Sequence, residues 1–485
     1  MSLSSALISA QSVFTTTGQQ TAIVSKNIAN ASNADYARRL ALMGTSLNGA
    51  QVLSIQRSQN EALLKQNIVS ISQSSAQSTL LSGLTTLKSA LGGNDYEMAP
   101  STYLASFRDA LQTYASTPGN STIAATVVSA AGDLVTSLNK TSAAVQDMRL
   151  DSDKEIATSV ATLNGLLSDF ETVNTAVQSA IGTGSDPSDA LDQRDKILKQ
   201  ISEIVGISTV TRGSGDTVIY TSDGTVLFEN KARQVTFTPT SGFDASTSGN
   251  GVYVDGVPLA AGTGGNTSGE GKLAALLQLR DEIAPQYQTQ LDEIARGLVT
   301  LFQEGDPSGT PAVPYAPGLF TYTTSTPPAT VPTAGTVEPG LAASLIVNPL
   351  AKDNPEMIRD GGFNGVIANT DNASGFSDLL DGFIDAFDGD LDFDATTGLD
   401  PQTTISSYAT ASVGWLEQLR SDASTANDNK TALLSRTAEA LSNETGVSMD
   451  EELSLLLDLE QSYKASAKLV STVDAMMAAL LEAVG

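Results

Sequence analysis

Residues 456–484 read LLDLEQSYKASAKLVSTVDAMMAALLEAV, and apolar side chains recur there at alternating steps of three and four. Residues at these spacings share one face of a helix, so the stretch predicts a long amphipathic helix. The members of this stripe are Leu456, Leu459, Tyr463, Ser466, Val470, Val473, Met477, Leu480 and Val484. Only Ser466 departs from the pattern.

The other end of the chain carries a weaker stripe with the same alternation and a polar centre. Its members are Leu3, Leu7, Ala10, Phe14, Thr17, Thr21, Val24 and Ile28. Helical patterns without internal Pro also cover 52–90, 103–114, 123–181 and 190–205. Helix returns at 273–302 and resumes again near residue 405. The sequence therefore predicts a mainly α chain built as a helical bundle or coiled coil.

Between residues 207 and 259 the pattern changes to short β-rich runs. VIYT at 218–221 and TVLF at 225–228 flank Ser222-Asp223-Gly224, which predicts a hairpin because Gly supplies the positive φ of the turn. A Gly-rich segment, 262–271, is predicted to be a flexible linker. Ten of the 17 Pro residues lie between Pro307 and Pro355, which disfavours a long helix there. We expect β-rich insertions in a helical frame.

Composition narrows the possible functions. The 485 residues include no Cys and no His and carry a formal charge of −28. A nucleic-acid partner is disfavoured because phosphates are bound by clustered Lys and Arg. Catalytic triads, thiolate nucleophiles and the usual zinc sites need residues that the chain lacks. Only 5% of the residues are aromatic, which argues against a sugar-cleaving site.

Three partial motifs have simpler explanations. Residues 262–272 resemble a P-loop but have Asn266 and Leu273 where Gly and Ser or Thr are needed. Residues 388–399 begin like a calcium loop, but Phe393 and Leu399 replace the required Gly and Glu. Residues 137–140 match S-x-x-K without its companion motifs. We therefore predict no catalytic, cofactor-binding or metal-binding residues. Nine Asp residues within 371–400 leave loose cation binding as an alternative.

Two motif groups resemble one protein family. At the amino end, IVSKNIANA at 23–31 and DYARR at 35–39 are similar to the N-N-I-A-N and G-Y-S-R-Q signature of flagellar rod, hook and hook-associated proteins. The departures are Lys26 for Asn or His, Asp35 for Gly, Ala37 for Ser and Arg39 for Gln. The Asp35 departure matters most, since Asp tolerates a left-handed backbone less readily than Gly.

At the carboxyl end, TGVSMDEE at 445–452 and LEQSYKASAK at 459–468 resemble the S-G-V-S-L-D-E-E and Q-x-A-Y-x-A-S-A-K signature of the first hook-associated protein family. Plain hook and rod subunits generally lack the first of these. DQRD at 192–195 is similar to a motif of the same family. Segment 273–302 also resembles the helical return segment of that family.

The resemblance implies a structural subunit at the junction between hook and filament, exported by the flagellar type III system without a cleaved signal peptide. It implies terminal helices paired in a bundle, and an extracellular location on the flagellum. The implied partners are further copies in a ring, the hook protein, the second junction protein and a cytoplasmic export chaperone. Neither membrane insertion nor catalysis is expected.

The residues implied in subunit packing lie at the two ends. At the amino end they are Leu3, Leu7, Phe14, Val24, Asn27, Ile28, Asn30, Tyr36 and Arg38. At the carboxyl end, where the family also binds its chaperone, they are Val447, Glu451, Glu452, Leu456, Leu459, Tyr463, Val470, Val473, Met477 and Leu480. Asn27 and Asn30 have a simpler explanation as helix caps.

We expect three domains. Residues 1–60 with 440–485 would form a terminal assembly domain, and 61–205 with 273–305 and 402–439 a helical bundle. Residues 206–272 with 306–401 would form a β-rich outer domain. Ordering a helix of 456–484 costs about 1 to 2 kcal/mol of backbone entropy per residue, which one apolar stripe offsets only in part. We therefore hypothesise that both ends become firm on docking into an array.

Two alternatives remain open from the sequence. The nearer is another axial flagellar subunit, such as a hook or rod protein. The other is a secreted cation-binding adhesin that uses the Asp-rich segment.

Overall fold

The structure, a computed structural model, describes residues 3–46, 49–306, 309, 312–323 and 329–484. Long helices dominate these residues. The helices are α1 Leu3–Ala29, α2 Glu61–Ala90, α3 Pro100–Ser116, α4 Ser121–Thr183, α5 Ser188–Ile204, α6 Lys272–Gln278, α7 Ala284–Leu301, α8 Leu341–Ser344, α9 Pro349–Asp353, α10 Met357–Asp360, α11 Asp378–Asp388, α12 Ile405–Thr445 and α13 Met449–Val484. A π-helical turn, Leu279–Ile283, joins α6 to α7.

The strands are short and antiparallel. They are β1 Arg39–Ser46, β2 Gly49–Arg57, β3 Ile207–Thr211, β4 Thr217–Thr221, β5 Val226–Glu229, β6 Lys231–Ala232, β7 Val235–Thr236, β8 Tyr253–Val254, β9 Val257–Pro258, β10 Gln303–Asp306, β11 Val313–Pro317, β12 Phe320–Tyr322, β13 Leu345–Val347, β14 Leu391–Asp392 and β15 Gln402–Thr403. The larger sheets have the orders β3-β4-β5-β6 and β7-β8-β9, and the other strands form two-stranded pairs.

The helix α4 organises the molecule because it runs through both hydrophobic cores. It begins at Asn120, whose side chain accepts from the Thr122 amide at 3.0 Å, and ends at Gly184 with φ +71°. Its first half packs into a core with α2, α3, α7 and α12. Its second half packs with α5 and the strands of 207–254. At 1.5 Å per residue, its 63 residues span about 95 Å.

The two segments assigned to the outer domain belong to different cores. Buried residues of 207–261 pack against the second half of α4, whereas those of 319–393 join the larger core. Within the latter, α11 turns Leu380, Phe383 and Phe387 inward and leaves Asp381 and Asp388 exposed. The proposed grouping of these segments as one domain stays a prediction.

The predicted fold class is confirmed, with two local corrections. Helix was predicted from residue 52, but 49–57 form β2 and α2 starts at Glu61. Asn60 caps that start by accepting from the Leu63 amide at 3.1 Å. The apolar run at 52–55 is too short to distinguish strand from helix by periodicity.

The Gly-rich segment 262–271 is not an open linker, contrary to the prediction. The Gln77 amide donates to Gly265 O at 2.8 Å and accepts from the Thr267 amide at 3.1 Å. Lys430 on α12 donates to Thr267 O at 2.9 Å. Polar side chains from two distant helices thus fix the backbone of this segment.

Among the described residues, α4 is the one helix whose length and composition would suit a membrane span. In its most apolar window, 44% of the residues are buried inside the molecule. A core helix of a bundle meets the same criteria.

Candidate assembly junction

The terminal helices α1 and α13 pack against each other along the two predicted stripes. Phe14 and Tyr463 bring their rings to 4.5 Å between centroids, although both rings stay partly exposed. Val24, Leu459 and Val473 are buried in this seam. Leu7, Ile28, Leu456 and Val470 are half-buried, whereas Met477 is exposed. The side chains of Leu3 and Leu480 lie outside the described residues.

Small polar residues complete the seam. Ser466, the one member of the carboxyl stripe that is not apolar, is buried, as is Thr17 on α1. A threonine in a helix can satisfy its own hydroxyl by donating to the carbonyl four residues earlier. Thr21, a member of the amino-terminal stripe, does so with Thr17 O at 2.8 Å. Small side chains at these positions occupy little space between the two helices.

Asn27 joins the two ends of the chain at the base of this seam. Its side-chain amide donates to Arg39 O at 2.9 Å and to Glu452 Oε2 at 3.0 Å. Its Oδ1 accepts from the Tyr36 hydroxyl at 2.8 Å and from the Arg39 amide at 3.1 Å. Asn27 and Glu452 are both buried. The four bonds satisfy the whole hydrogen-bonding capacity of this side chain, which is more than a helix cap requires.

Arg38 forms a second connection between the same segments. Its Nε donates to Glu452 Oε1 at 2.7 Å, and its Nη1 donates to Glu451 Oε2 at 2.7 Å. Its backbone amide donates to Thr445 O at 2.8 Å. Glu452 therefore receives a donor on each oxygen, one from each amino-terminal motif.

The first half of α5, which includes DQRD at 192–195, forms a network of ion pairs with Arg39 and Arg57 beside Asn27 and Arg38. Arg39 Nη2 lies 2.5 Å from Asp189 Oδ1 and 2.9 Å from Asp192 Oδ2. Arg57 lies 2.7 Å from both Asp192 Oδ1 and Asp195 Oδ2. Apart from Asp189, these side chains are largely buried. Buried charges of this kind require pairing, because desolvating an unpaired charge is costly.

We call the set Asn27, Tyr36, Arg38, Arg39, Arg57, Asp192, Asp195 and Glu452 the junction node. Arg39, Arg57 and the α5 aspartates were not predicted as site residues. Their basic and acidic partners are separated by more than 130 positions, so no local pattern pairs them. The D-Q-R-D resemblance was the one available signal.

Two ionisable groups in or beside the node, Tyr36 and Asp189, have shifted pKa values. Burial raises the pKa of Tyr36 to about 12, so its hydroxyl remains a donor to Asn27 at neutral pH. The hydrogen bond from Lys26, followed by that from Arg39, lowers the pKa of Asp189. Both shifts favour the protonation states that the hydrogen bonds need.

Two predicted residues lie beside the node without joining it. Asn30 donates to Lys26 O at 2.9 Å and so satisfies the end of its own helix. Val447 is half-buried and lines a cavity of about 540 Å³ between the 31–37 loop, α2, α5 and α12.

The arrangement suits holding segments together more than reacting. Each node carboxylate is paired with a guanidinium, and no group of three or more acidic residues among the described residues is placed to hold a metal ion. The node connects the two chain ends to the bundle.

Comparison with known protein families agrees with this geometry. Residues 84–311 match the family "Flagellar hook-associated protein FlgK helical domain", and residues 440–483 match "Flagellar basal body rod FlgEFG protein C-terminal". Both descriptions are of flagellar proteins. Over these ranges the chain is similar to the flagellar hook-associated protein 1 family.

Individual relatives show the extent of the similarity. "Flagellar hook-associated protein 1" of Salmonella typhimurium is 25% identical over 292 residues, which cover 58% of this chain and 52% of the relative. The Bacillus subtilis protein of the same name is 22% identical over 96% of each chain. A solved structure of the flagellar hook junction protein FlgK from Burkholderia pseudomallei is 21% identical, with a TM-score of 0.43 over 53% of this chain and 47% of that one. The chain spans about half the length of the Salmonella relatives it matches.

Proposed function

We propose that this chain is a structural subunit of the junction between hook and filament of the bacterial flagellum. The observation that carries the proposal is the junction node, where both terminal motifs and the DQRD segment meet through buried hydrogen bonds. Asn27 and Glu452 are 425 positions apart, yet they bond directly. A subunit whose two ends form one unit at its base has the form required of an axial building block.

Assembly would proceed through the terminal helices. Leu469 and Met476, seven residues apart, share a side of α13 next to the seam, and both stay exposed. Leu457 and Leu481 are exposed at other positions around the same helix. Neighbouring exposed apolar side chains are typical of an interaction surface. A heterologous contact repeated by rotation gives a ring or a tube.

The partners follow from the same proposal. Further copies in a ring, the hook protein and the second junction protein would contact the terminal assembly domain, 1–60 with 440–485. An export chaperone would cover the exposed face of α13 before the subunit leaves through the type III channel. The chain would then act outside the cell, on the flagellum, without catalysing a reaction.

Deletion of the gene tests this proposal. We expect cells that make hooks but no filaments, and an antibody should label intact flagella at the hook-filament boundary. Loss of the hooks themselves would contradict a junction role. It would favour the second candidate, a hook or rod subunit, which the match of residues 440–483 to a rod family supports.

A further inference from the structure

The hairpin β1-β2 lies along α1. Near its start, the Arg39 amide donates to Asn27 Oδ1 at 3.1 Å. Near its tip, Ala50 O accepts from Ser12 Oγ at 2.5 Å and from Thr16 Oγ1 at 2.9 Å. Asn27 and Ser12 are about 22 Å apart along a helix, and Arg39 to Ser46 spans about 24 Å in a strand. The strands therefore run nearly parallel to the helix axis.

One face of the hairpin contacts α1, and the other carries exposed leucines. Ala41 and its partner Ile55 are half-buried, while Leu40 and Leu42 on the alternate face are 43% and 49% exposed. A register shift after Leu42 inserts Leu53 as an extra residue on β2, and it is 58% exposed.

Gly44 provides the space for Leu53. A Cβ on Gly44 would stand 2.5 Å from Leu53 Cδ1. Leu53 therefore lies across Gly44, on the face that Leu42 also occupies. A bulge that redirects a side chain in this way is a recurrent feature of functional strands. We call Leu40, Leu42 and Leu53 the hairpin patch.

A matching surface lies on α13. Leu453 and Leu457, one helical turn apart, are 45% and 60% exposed and lie off the seam. Because Glu452 bonds Asn27, these leucines lie about 1.5 and 7.5 Å beyond the node along the helix axis. Leu40 and Leu42 lie about 3 and 10 Å beyond it. The two surfaces therefore have the same height along the terminal helices.

The two surfaces lie on opposite sides of α1. Ser12 contacts the hairpin and Phe14 contacts α13, and two residues are separated by about 200° around a helix. Hairpin, α1 and α13 thus form a layer in that order. The patch on one edge cannot reach the α13 surface on the other edge of the same chain.

Charge selects which edges can meet. Residues 449–460 of α13 carry five carboxylates and no cation, and four of the five, at Asp450, Glu451, Asp458 and Glu460, are exposed. Two α13 edges facing each other would repel. Residues 39–57 of the hairpin carry no carboxylate, and their two arginines are largely buried and paired in the junction node. The hairpin edge therefore does not repel the acidic rim.

We propose that the hairpin patch of one copy docks on Leu453 and Leu457 of the next copy. The contact is heterologous and joins edges at equal height, so repetition by rotation places the copies side by side and closes a ring. This inference rests on the proposed function for its setting, and its residues define the lateral contact of that ring.

Cysteine cross-linking of the full chain tests the contact, since the natural sequence has no Cys. With a short bismaleimide, concentrated chain carrying both Leu42→Cys and Leu457→Cys should form a ladder of trimers and larger species. Leu457→Cys alone should remain monomeric, and so should a control pair in which Val210→Cys, an exposed position on β3, replaces Leu42→Cys. Dimers from Leu457→Cys alone would indicate α13-α13 pairing and would overturn the proposal.

The same double variant, expressed in cells, separates this inference from the function. A ladder from isolated flagella supports both. Flagella that contain the variant at the junction but give no ladder overturn the contact and leave the junction role standing. If the variant is absent from flagella, the cross-linking result of the purified, concentrated variant is decisive. A variant that is helical by circular dichroism but forms no ladder overturns the contact.

Discussion

Truncation of Glu452 offers the sharpest test of the junction node. Breaking a buried ion pair costs about 3 to 5 kcal/mol when an uncompensated charge remains. In Glu452→Ala, Arg38 would still pair with Glu451, which lies 2.7 Å away, and its side chain is 24% exposed. The cost of leaving the Arg38 charge without Glu452 is therefore smaller than that range. We expect Glu452→Ala to lower the free energy of opening of the α13 base by about 2 to 3 kcal/mol, allowing for the Asn27 bond that is also lost.

Amide hydrogen exchange of residues 449–459 in the full chain measures that opening directly. At about 1.4 kcal/mol per tenfold change, exchange should accelerate about 30- to 150-fold. Glu451→Gln is the matched control, because Glu451 contacts the same Arg38 but is 62% exposed, and an exposed pair contributes about 0 to 1 kcal/mol. Equal effects of the two substitutions would refute the reasoning.

Three further predictions concern the body of the molecule. Arg57→Ala leaves Asp195 without its guanidinium, while Asp192 keeps Arg39, and should lower the free energy of unfolding in urea by about 3 kcal/mol. Arg233→Ala, which removes an exposed pair, should leave the urea midpoint unchanged. Burial raises the pKa of Asp292 to about 6, so the folded protein binds a proton at this carboxyl more tightly than the unfolded chain does. Measured by urea titration, the free energy of unfolding relative to Asp292→Asn should therefore rise by about 1.4 kcal/mol for each pH unit between pH 6 and pH 4. A difference that does not change with pH would contradict this expectation. Gln77→Leu should expose segment 262–271 to limited proteolysis, because it leaves buried backbone groups unpaired; unchanged cleavage would show that the segment is held by other contacts.

The sequence predicted the helical frame because long helices repeat their signal many times. The stripe from Leu456 to Met477 needed no partner to be recognised, and the pairing with α1 in the structure uses it. Ser466 was an apparent flaw in that stripe. In the structure this side chain is buried.

The node could not be derived in the same way. Its hydrogen bonds join residues from four distant segments, and the choice of partner depends on the folded backbone. The motifs around Asn27 and Glu452 indicated importance by resemblance, but nothing local paired them. The β1-β2 hairpin was not predicted for a related reason, since its two strands are stabilised by pairing with each other. Segment 262–271 was predicted to be a flexible linker from its composition alone. Composition gives no information on its hydrogen bond with Lys430, which is distant in sequence.

Exchange along the terminal helices, in the free chain and in isolated flagella, tests the central claim that the parts of these helices away from the node become firm only against neighbouring subunits. In the dilute chain we expect protection near the node and rapid exchange from Leu469 to Leu481, where the exposed face lacks a partner in its own chain. In flagella the same amides should become protected. Strong protection from Ile8 to Ile28 and from Leu456 to Leu480 in the free chain would contradict the account.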